Sequence, residues 1–515
     1  MASPSGSTDR LSELPDFLLG HVLSFLPTKA AGRAALLSRR WRDIFSNVDT
    51  ISFGEREGAR ASDWTTFYYE AKERKSCSGA LLDGVWSAIL CRRRCAGANV
   101  PLRSLRVAFD DWTGWDRCHI DQWLSYVLRH SSQELHLDLT FRLGPICPHY
   151  SGRDRHGHRR AVGWYDLPRK LLSCAAMRSL CLSYCTLNLP DAINLPSLET
   201  LRLTGVKGSS ATGVQRLIAS CPRLLDLTLE ANAAVDIVSV LDRRLRRFAL
   251  RCCHNVGSVD IDASELVSLD YCGAVPAESL LFLHGSPATV LSCTVDFCQV
   301  LSEEPEFAGF KRFMEKVSGV RHLRLHHRRL PARSFQGFPS FPNLTRLALQ
   351  GPVLSPDAVR HILQQTPNLE ILLLFMECAV VPDRRCKSKT RDENTIPDEL
   401  TTTPDEPSFS IPCLQNRVRE INMVHYQGNK LQRAMAKLLF RNALLLERYC
   451  VVLVKGPFTL QDGLRKEIQS WVVAADAEPI FLLLISYLFS SMHGPTKLQI
   501  IHSFSREAGN KFACK

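Results

Sequence analysis

One spacing of apolar and polar positions recurs along most of the chain. An apolar residue precedes two variable positions and an apolar-variable-apolar triplet, as in Leu198-x-x-Leu201-x-Leu203. Such a triplet predicts a short strand, because alternate side chains of a strand point to the same side. Further copies begin at Leu102, Met177, Leu224, Leu245, Leu266, Val320, Leu344, Leu369 and Val418, and weaker ones are Leu135-x-Leu137 and Cys293-x-Val295.

The spacing of these copies is that of leucine-rich repeats. Between Met177 and Leu266, successive copies start 21, 26, 21 and 21 residues apart, which is within the period of that repeat class. A single repeat cannot bury its apolar side, so neighbouring repeats are expected to stack into a solenoid. Such repeats carry an Asn or Cys after the strand, expected in a buried turn, and we assign Cys185, Asn232 and Cys253 to this position.

The segments between the strands carry a different period. Val214, Leu217 and Ile218 lie at helical spacing within residues 210–220, and residues 355–365 repeat this arrangement. A Cys-Pro or Thr-Pro pair then breaks each helix before the next strand. The succession of helix, proline break and strand predicts an α/β solenoid, a leucine-rich-repeat horseshoe.

The first fifty residues follow a helical pattern instead. Residues 1–10 are small and polar, and we expect them to be disordered. Pro15 suits the first turn of one helix, which ends at Pro27, and we expect Thr28 to cap a second helix and Ser38 a third. The predicted apolar face of the first helix is formed by Leu14, Leu18, Leu19, Val22, Leu23 and Leu26, and that of the third by Trp41, Ile44, Phe45 and Val48.

Three short helices bury little surface by themselves, and a unit of this size is marginal alone. Its leucines are therefore expected to pack on a partner or on the next domain. The alternative is that these leucines form only a small helical core. The two interpretations overlap, because one helix face can contribute both to the core and to partner binding.

This segment closely resembles the plant-type F-box, a short all-α domain of three helices. The resemblance is carried by Leu14-Pro15, by the turn Leu26-Pro27-Thr28-Lys29 and by the ending Leu37-Ser38-Arg39-Arg40-Trp41-Arg42. It implies binding to the Skp-type adaptor of an SCF (Skp–cullin–F-box) ubiquitin ligase. The adaptor contacts that the resemblance implies are Leu14, Pro15, Leu18, Val22, Leu26 and Pro27. Gly32 departs from the pattern, since a larger apolar residue is usual there, and a helical glycine costs up to ~1 kcal/mol relative to alanine.

The pattern also divides the chain. Polar, charged and proline-rich residues at 383–412 predict a mobile insertion. Residues 413–482 resemble the FBD-type region that ends many plant F-box proteins. The predicted division is 1–10 as a disordered N-terminus, 11–50 as the F-box, 51–100 as a linker or first irregular repeat, 101–382 as leucine-rich repeats, 383–412 as the insertion, 413–482 as terminal repeats and 483–515 as an unassigned tail.

Composition narrows the class of protein. The net charge is +12, but no dense basic block with interleaved aromatic residues accompanies it, which argues against nucleic-acid binding. The 19 cysteines, together with a polar N-terminus, predict free thiols in a reducing compartment, the cytoplasm or the nucleus. The longest apolar stretch, residues 480–489, is shorter than the ~20 residues that span a bilayer, so no membrane partner is predicted.

The common catalytic signatures are absent from the sequence: the phosphate-binding loop, the dinucleotide fingerprint, the nucleophile elbow and the His-Glu-x-x-His helix. We therefore predict no enzyme activity, no cofactor and no metal. Two groups could be imagined as zinc ligands, namely Cys91 with Cys95, and Cys147 with His149, His156 and His158. Neither has the paired Cys-x-x-Cys spacing of zinc sites, and the loop at 143–166 is better interpreted as solvated.

The remaining candidate for function is the strand surface. The residue between two inward side chains faces the other side of the sheet, which in solenoids is a common binding surface. The candidate substrate contacts are Arg202, Thr228, Glu230, Arg251, Arg324, His326 and Gln350. Two functions fit this organisation: a substrate-recognition adaptor of an SCF-type ligase, and a leucine-rich-repeat scaffold that binds partners without ubiquitin transfer.

Overall fold

A computed structural model describes residues 13–46, 48–54, 71–95, 102–109, 117–139, 147, 164–208, 212–233, 235–241, 244–262, 264–284, 290–376, 411–454 and 458–483. The chain separates into two compact units, Met1–Thr289 and Val290–Lys515. The predicted disordered N-terminus at 1–10, the predicted insertion up to residue 410 and the predicted tail from residue 484 lie outside the described residues.

The first unit opens with three short helices, α1 (Asp16–Ser24), α2 (Thr28–Ala34) and α3 (Arg39–Ser46). Ser38 caps α3 as predicted, because its Oγ accepts the N–H of Trp41 at 3.3 Å. The predicted cap of α2 is wrong. Pro27 occupies the N-cap position, and the Oγ1 of Thr28 instead accepts the N–H of Ser52 at 2.7 Å.

The described residues of the first unit also contain three further α-helices and a series of strands. The helices are α4 (Ala71–Cys95), α5 (Arg117–Arg129) and α6 (Gly213–Ala219). The strands in chain order are β1 (Thr50–Gly54), β2 (Ser104–Phe109), β3 (Glu134–Leu139), β4 (Tyr165–Asp166), β5 (Ser179–Ser183), β6 (Cys185–Leu187), β7 (Thr200–Thr204), β8 (Lys207–Gly208), β9 (Asp226–Glu230), β10 (Ile237–Val240), β11 (Arg247–Arg251), β12 (Ser258–Asp262), β13 (Ser268–Gly273) and β14 (Leu281–His284).

The long sheet of this unit is parallel throughout, in the order β1-β2-β3-β5-β7-β9-β11-β13. Its register aligns the predicted triplets one above another, so that equivalent apolar residues are neighbours. One such row is Leu180, Leu201, Leu227, Phe248 and Leu269. All five side chains are buried. The predicted fold class, three helices followed by a leucine-rich-repeat solenoid, is confirmed.

Short strands replace helices in several connectors, which the sequence pattern did not predict. Parallel strands β4, β6 and β8 form one small sheet, and β10, β12 and β14 form another. The predicted helix within residues 210–220 is confirmed as α6. The connectors between β9 and β13 are short. A strand rises further per residue than a helix, so a short connector can cross the repeat as an extended strand, whereas a helix would need more residues for the same distance.

A left-handed turn residue links each repeat to the next. Tyr184, Gly205, Ala231 and Cys252 each follow a long-sheet strand with positive φ. Their N–H groups donate to backbone carbonyls of the following strand, at Thr204, Glu230, Arg251 and Cys272 respectively. Because the same bond recurs at four successive turns, this geometry belongs to the repeat and not to one site.

The predicted Asn/Cys position lies directly after this turn residue. Asn232 is fully buried. Its Oδ1 accepts the N–H of Val206 at 2.8 Å, and its Nδ2 donates to the carbonyl of Leu203 at 2.8 Å. Cys185 and Cys253 are buried at the equivalent turns, and their thiols donate to the carbonyls of Ser183 and Arg251. The prediction that these residues fill buried turns is confirmed.

The second unit has the same parallel organisation. Its strands pair in chain order, β15 (Ser292–Phe297), β16 (His322–His326), β17 (Arg346–Gly351), β18 (Ile371–Met376), β19 (Glu420–Tyr426), β20 (Arg448–Leu453) and β21 (Glu478–Leu483). The helices between them are α7 (Glu304–Lys316), α8 (Pro356–Gln364), α9 (Pro412–Asn416), α10 (Lys430–Asn442) and α11 (Phe458–Trp471). Ser355 caps α8 by accepting the N–H of Ala358, which confirms the predicted helix there.

Within the described part of the chain, no helix has both the length and the apolar character needed to cross a membrane.

The buried amide of Asn232 gives a direct test of the repeat geometry. We expect Asn232→Ala to lower the free energy of unfolding by about 2–4 kcal/mol, because a buried N–H and a buried carbonyl each lose their partner. Urea denaturation of the full chain measures this change. Asn255→Ala is the matched control: its side chain is exposed and donates one bond to the carbonyl of Ala233, so its effect should stay below ~1 kcal/mol. Equal losses in both variants would contradict the interpretation.

Candidate functional site

The three N-terminal helices enclose a small core from one side of α1. Leu19 and Leu23 of α1 pack with Ala31, Ile44 and Val48. Trp41 and Phe45 of α3 are partly buried against the same cluster, as the predicted apolar face of α3 requires. This core uses only part of the apolar surface that the first helix carries.

The other side of α1 exposes large apolar side chains. Leu18, Val22 and Leu26 are 39%, 45% and 43% exposed, and Phe17 and Phe25 are more than 70% exposed. The prediction of a single apolar face on this helix was therefore wrong. Leu19 and Leu23 face the core, whereas Leu18, Val22 and Leu26 face outward, because apolar residues surround the helix on more than one side.

We use the name docking face for the set of exposed apolar side chains of the three helices, namely Phe17, Leu18, Val22, Phe25 and Leu26 with Leu36 and Leu37 after α2. Leu36 and Leu37 are 79% and 74% exposed. The sequence reasoning missed four of these residues, namely Phe17, Phe25, Leu36 and Leu37. A signal was available, since each is a large apolar residue that the core-forming periodicity leaves out.

The predicted adaptor contacts Leu14, Pro15 and Pro27 occupy different positions. Leu14 is partly buried and packs against the helical core. Pro15 and Pro27 are exposed residues preceding α1 and α2. Arg40 of α3 closes the start of α1 by pairing with Asp16 at 2.8 Å and donating to the carbonyl of Leu14. Substitution of Leu14 would thus disturb the core as well as any docking.

The F-box-like helices are fixed to the first repeat. The bond from Ser52 to Thr28 joins β1 to α2, and the ring of Phe53 packs where a Cβ on Gly84 of α4 would come within 2.7 Å. This close approach requires glycine at residue 84. The docking face is therefore presented from a helical unit that is packed on the solenoid.

An ion-pair cluster continues this junction along the first three strands. Arg103 pairs with Asp49 at 2.9 Å and with Glu134 at 3.1 Å, and Arg106 pairs with Glu134 at 3.0 Å. Burial alone would raise the pKa of Asp49, but the hydrogen bonds and charge of Arg103 hold that pKa below its usual value. The cluster holds the start of the sheet through Arg103, and the Asp49 carboxylate is ionised at neutral pH.

The predicted substrate contacts of the first unit lie in two adjacent rows of the long sheet. Arg202 and Thr228 are register neighbours, and so are Glu230 and Arg251. Arg202 is exposed, and the other three are half-buried. Arg251 forms an ion pair with Asp270. The structure brings these four residues together on one face of the first unit.

Neutral polar groups flank Arg202 on this face. Its register neighbour on β5 is Cys181, which is paired in turn with His136 on β3. Burial raises the pKa of Cys181 despite the opposing charge of Arg202, and burial lowers the pKa of His136. The face therefore presents a guanidinium beside an uncharged thiol and an uncharged imidazole.

The predicted contacts of the second unit lie on β16 and β17. Arg324 is half-buried on β16, and His326 and Gln350 are half-buried register neighbours. From β18 onward the same face becomes apolar and buried. This apolar cluster, missed by the sequence reasoning, consists of Ala348, Leu373, Phe375, Val424, Cys450, Val452 and Ile480. The signal was the unbroken apolar run of β18, since strands buried on both faces lose the polar alternation.

The structure describes only some of the residues that the sequence offered as weak zinc ligands. His149, His156 and His158 lie outside the described residues, as does the side chain of Cys95. Cys147 is described and is 1% exposed, so the interpretation of its loop as solvated does not hold for this residue.

Comparison with known proteins agrees with this architecture. The F-box domain matches residues 11–52, and the leucine-rich repeats of the FBD-associated F-box protein At5g56370 match residues 120–279. The F-box/LRR-repeat protein At4g14103 of Arabidopsis thaliana is 25% identical over 388 residues, covering 72% of this chain and 92% of the relative. The Arabidopsis thaliana F-box/FBD/LRR-repeat protein At5g22660 is 24% identical over 465 residues, covering 86% of this chain and 89% of the relative.

Three helices with an exposed apolar face, followed by a parallel strand array, are the architecture of an F-box followed by leucine-rich repeats, and the two domain matches identify both segments in this chain. Over most of its length the chain is similar to F-box/leucine-rich-repeat proteins of the plant FBD-associated type.

Gly32 can be tested by filling its position. A Cβ there would lie 3.8 Å from the ring of Phe45, an ordinary van der Waals separation. We expect Gly32→Ala to raise the free energy of unfolding by about 0.5–1 kcal/mol, because the helix gains propensity without a clash. Gly84→Ala is the matched helical control and should lower stability, since its Cβ would meet Phe53 at 2.7 Å. Thermal unfolding of both variants measures these changes. If Gly32→Ala destabilises the chain, Gly32 is required by packing and the interpretation is wrong.

Proposed function

We propose that the chain is the substrate-recognition adaptor of an SCF-type ubiquitin ligase. In this role the F-box at 11–50 binds a Skp-type adaptor, and the repeats at 101–382 and 413–482 bind the target protein. The observation that carries the proposal is the docking face, on which Phe17, Val22 and Phe25 stand exposed while the core of the same helices is complete without them. Several large apolar side chains exposed on one small unit are typical of a protein interface.

The proposed contribution to the reaction is proximity. The adaptor would hold a target near a ubiquitin-loaded enzyme that other subunits supply, which raises the effective concentration of the target. We propose no catalytic group in the chain itself. Burial raises the pKa of Cys185 and Cys450 to about 12, so these two thiols stay protonated and are poor nucleophiles.

The proposal places the protein in the cytoplasm, the nucleus or both. None of the described cysteines forms a disulfide, which agrees with the reducing conditions of these compartments. The second candidate function is a repeat scaffold whose F-box does not recruit a ligase, and adaptor binding separates the two.

Adaptor binding should depend on the docking face. We expect Val22→Asp and Phe25→Asp each to weaken binding of the full chain to a purified Skp-type adaptor at least roughly thirtyfold, because a charge in an apolar interface costs about 2 kcal/mol or more. Both residues project from the core, so the unfolding midpoint should change little. Titration calorimetry gives the affinity, and circular dichroism monitors the fold.

The matched control is Leu445→Asp, which places the same charge on a leucine 51% exposed in the second unit and should leave adaptor affinity unchanged. If the wild-type chain binds no Skp-type adaptor, the ligase proposal fails and the scaffold function gains support.

Target binding should depend on the polar rows of the first unit. We expect Arg202→Glu to reduce the set of proteins that accumulate on the adaptor after proteasome inhibition, because charge reversal repels acidic ligands. Adaptor affinity should stay the same. Arg223→Glu, an exposed arginine between α6 and β9, makes the same charge change away from this face. If the wild type and both variants capture the same proteins, target recognition does not depend on this face of the first unit.

A further inference from the structure

Two residues of one turn in the first unit, Cys252 and His254, meet a third, Cys147, that is distant in sequence. Cys252 and His254 follow β11, and Cys147 comes from the segment between β3 and β4. Their ligand atoms all lie within 4.8 Å of one another, and the Sγ of Cys147 is 3.2 Å from the Nε2 of His254. We infer that Cys147, Cys252 and His254 form a binding site for a divalent soft metal ion, with zinc as the chemical match.

The separations suit a tetrahedral zinc ion. With Zn–S near 2.3 Å and Zn–N near 2.0–2.1 Å, two sulfur ligands lie about 3.8 Å apart and a sulfur and a nitrogen about 3.6 Å apart. The three atoms therefore need to move by less than about 1 Å to reach this geometry, within ordinary side-chain adjustment. Three protein ligands leave one coordination position for a further ligand.

The surroundings of the ligand atoms also suit zinc. Cys147 and Cys252 are 1% and 8% exposed, whereas His254 is exposed. Two thiolates balance the charge of one zinc ion, so the burial of this set avoids an uncompensated charge. The exposed imidazole leaves an entry route for the ion. Reducing compartments, where the chain is proposed to act, keep such thiols available for metal.

The neighbouring Cys253 is not part of the proposed site. Cys253 points into the repeat interior, where its thiol donates to the carbonyl of Arg251 at 3.4 Å. The left-handed backbone of Cys252 turns the chain between the two. Cys252 therefore faces Cys147 because the repeat turn directs adjacent side chains to different sides.

Such a site would link Cys147 to the turn that follows β11. It would join residues 147 and 252 across several repeats, and metal binding of this kind adds its free energy to folding. The Sγ of Cys272 lies 3.7 Å from that of Cys252, which makes a disulfide the competing use of Cys252 under oxidation. The test is accordingly made with reduced protein.

The experiment uses the full chain, purified under reducing conditions and exposed to Zn²⁺ or Co²⁺. We expect about one zinc per chain by mass spectrometry of the metal. We expect Co²⁺ to give the visible bands of a tetrahedral site with a near-ultraviolet sulfur-to-cobalt band. X-ray absorption should report at least two sulfur ligands and one nitrogen. A chelator should lower the unfolding temperature of the wild type.

Variants separate this site from other thiols of the chain. Cys147→Ser, Cys252→Ser and His254→Ala should each lower zinc affinity roughly tenfold or more, because a ligand is lost. Cys185→Ser removes another buried thiol of the first unit and should leave zinc affinity unchanged.

His254 keeps the test informative if a buried-cysteine variant fails to fold, since its side chain is exposed. His254→Cys should restore zinc binding and strengthen the sulfur-to-cobalt band relative to His254→Ala. The inference is overturned if the reduced wild type takes up no zinc, or if the His254→Ala variant binds zinc with the affinity and cobalt spectrum of the wild type. Adaptor binding is measured in parallel, so failure of this site and failure of the ligase proposal remain distinguishable.

Discussion

Stacking of each repeat on its neighbour is the interaction on which the molecule depends. A single strand and its turn expose half of their apolar surface, and burial comes only when the next strand aligns in register. The row from Leu180 to Leu269 shows the result, since each side chain is buried by its equivalent in the adjacent repeat. The turn residues add a backbone bond from each repeat to the next. In the first unit the other side of the sheet keeps polar residues such as Arg202, Thr228 and Glu230.

In the N-terminal helices, leucine residues have two different environments, a buried core and an exposed surface. Leu19 and Leu23 complete a core with α2 and α3, and this core needs only one side of α1. The leucine, valine and phenylalanine side chains on the other side have no role in that core. Exposing them is unfavourable by roughly 1.5–3 kcal/mol per large side chain relative to full burial, and the proposed adaptor would recover part of this free energy by covering them. The docking face and the ordered core are therefore two consequences of one helix whose apolar residues extend beyond its core-facing side.

Cysteine shows how position within a repeat decides chemistry. Cys185 and Cys253 occupy the turn position that Asn232 fills elsewhere, and their thiols act as small buried donors to backbone carbonyls. Cys252, one residue earlier, faces away from the interior and meets His254 and Cys147. The composition gives only the number of cysteines, 19. The position of each cysteine within the repeat turn decides whether its thiol fills the interior or contributes to the proposed metal site.

The sequence by itself determined the repeat, its strands and the F-box, because apolar periodicity and the proline and capping positions are local properties of the chain. It also placed Ser38 correctly, since this cap acts within its own turn, and Asn232, since the repeat spacing marks its position although its partners lie in the preceding repeat. The tertiary structure decided what depends on distant neighbours: the split of α1 into a core side and an exposed side, the apolar outer face from β18 onward, and the meeting of Cys147 with His254. These features arise from packing between segments far apart in sequence, which no local spacing encodes.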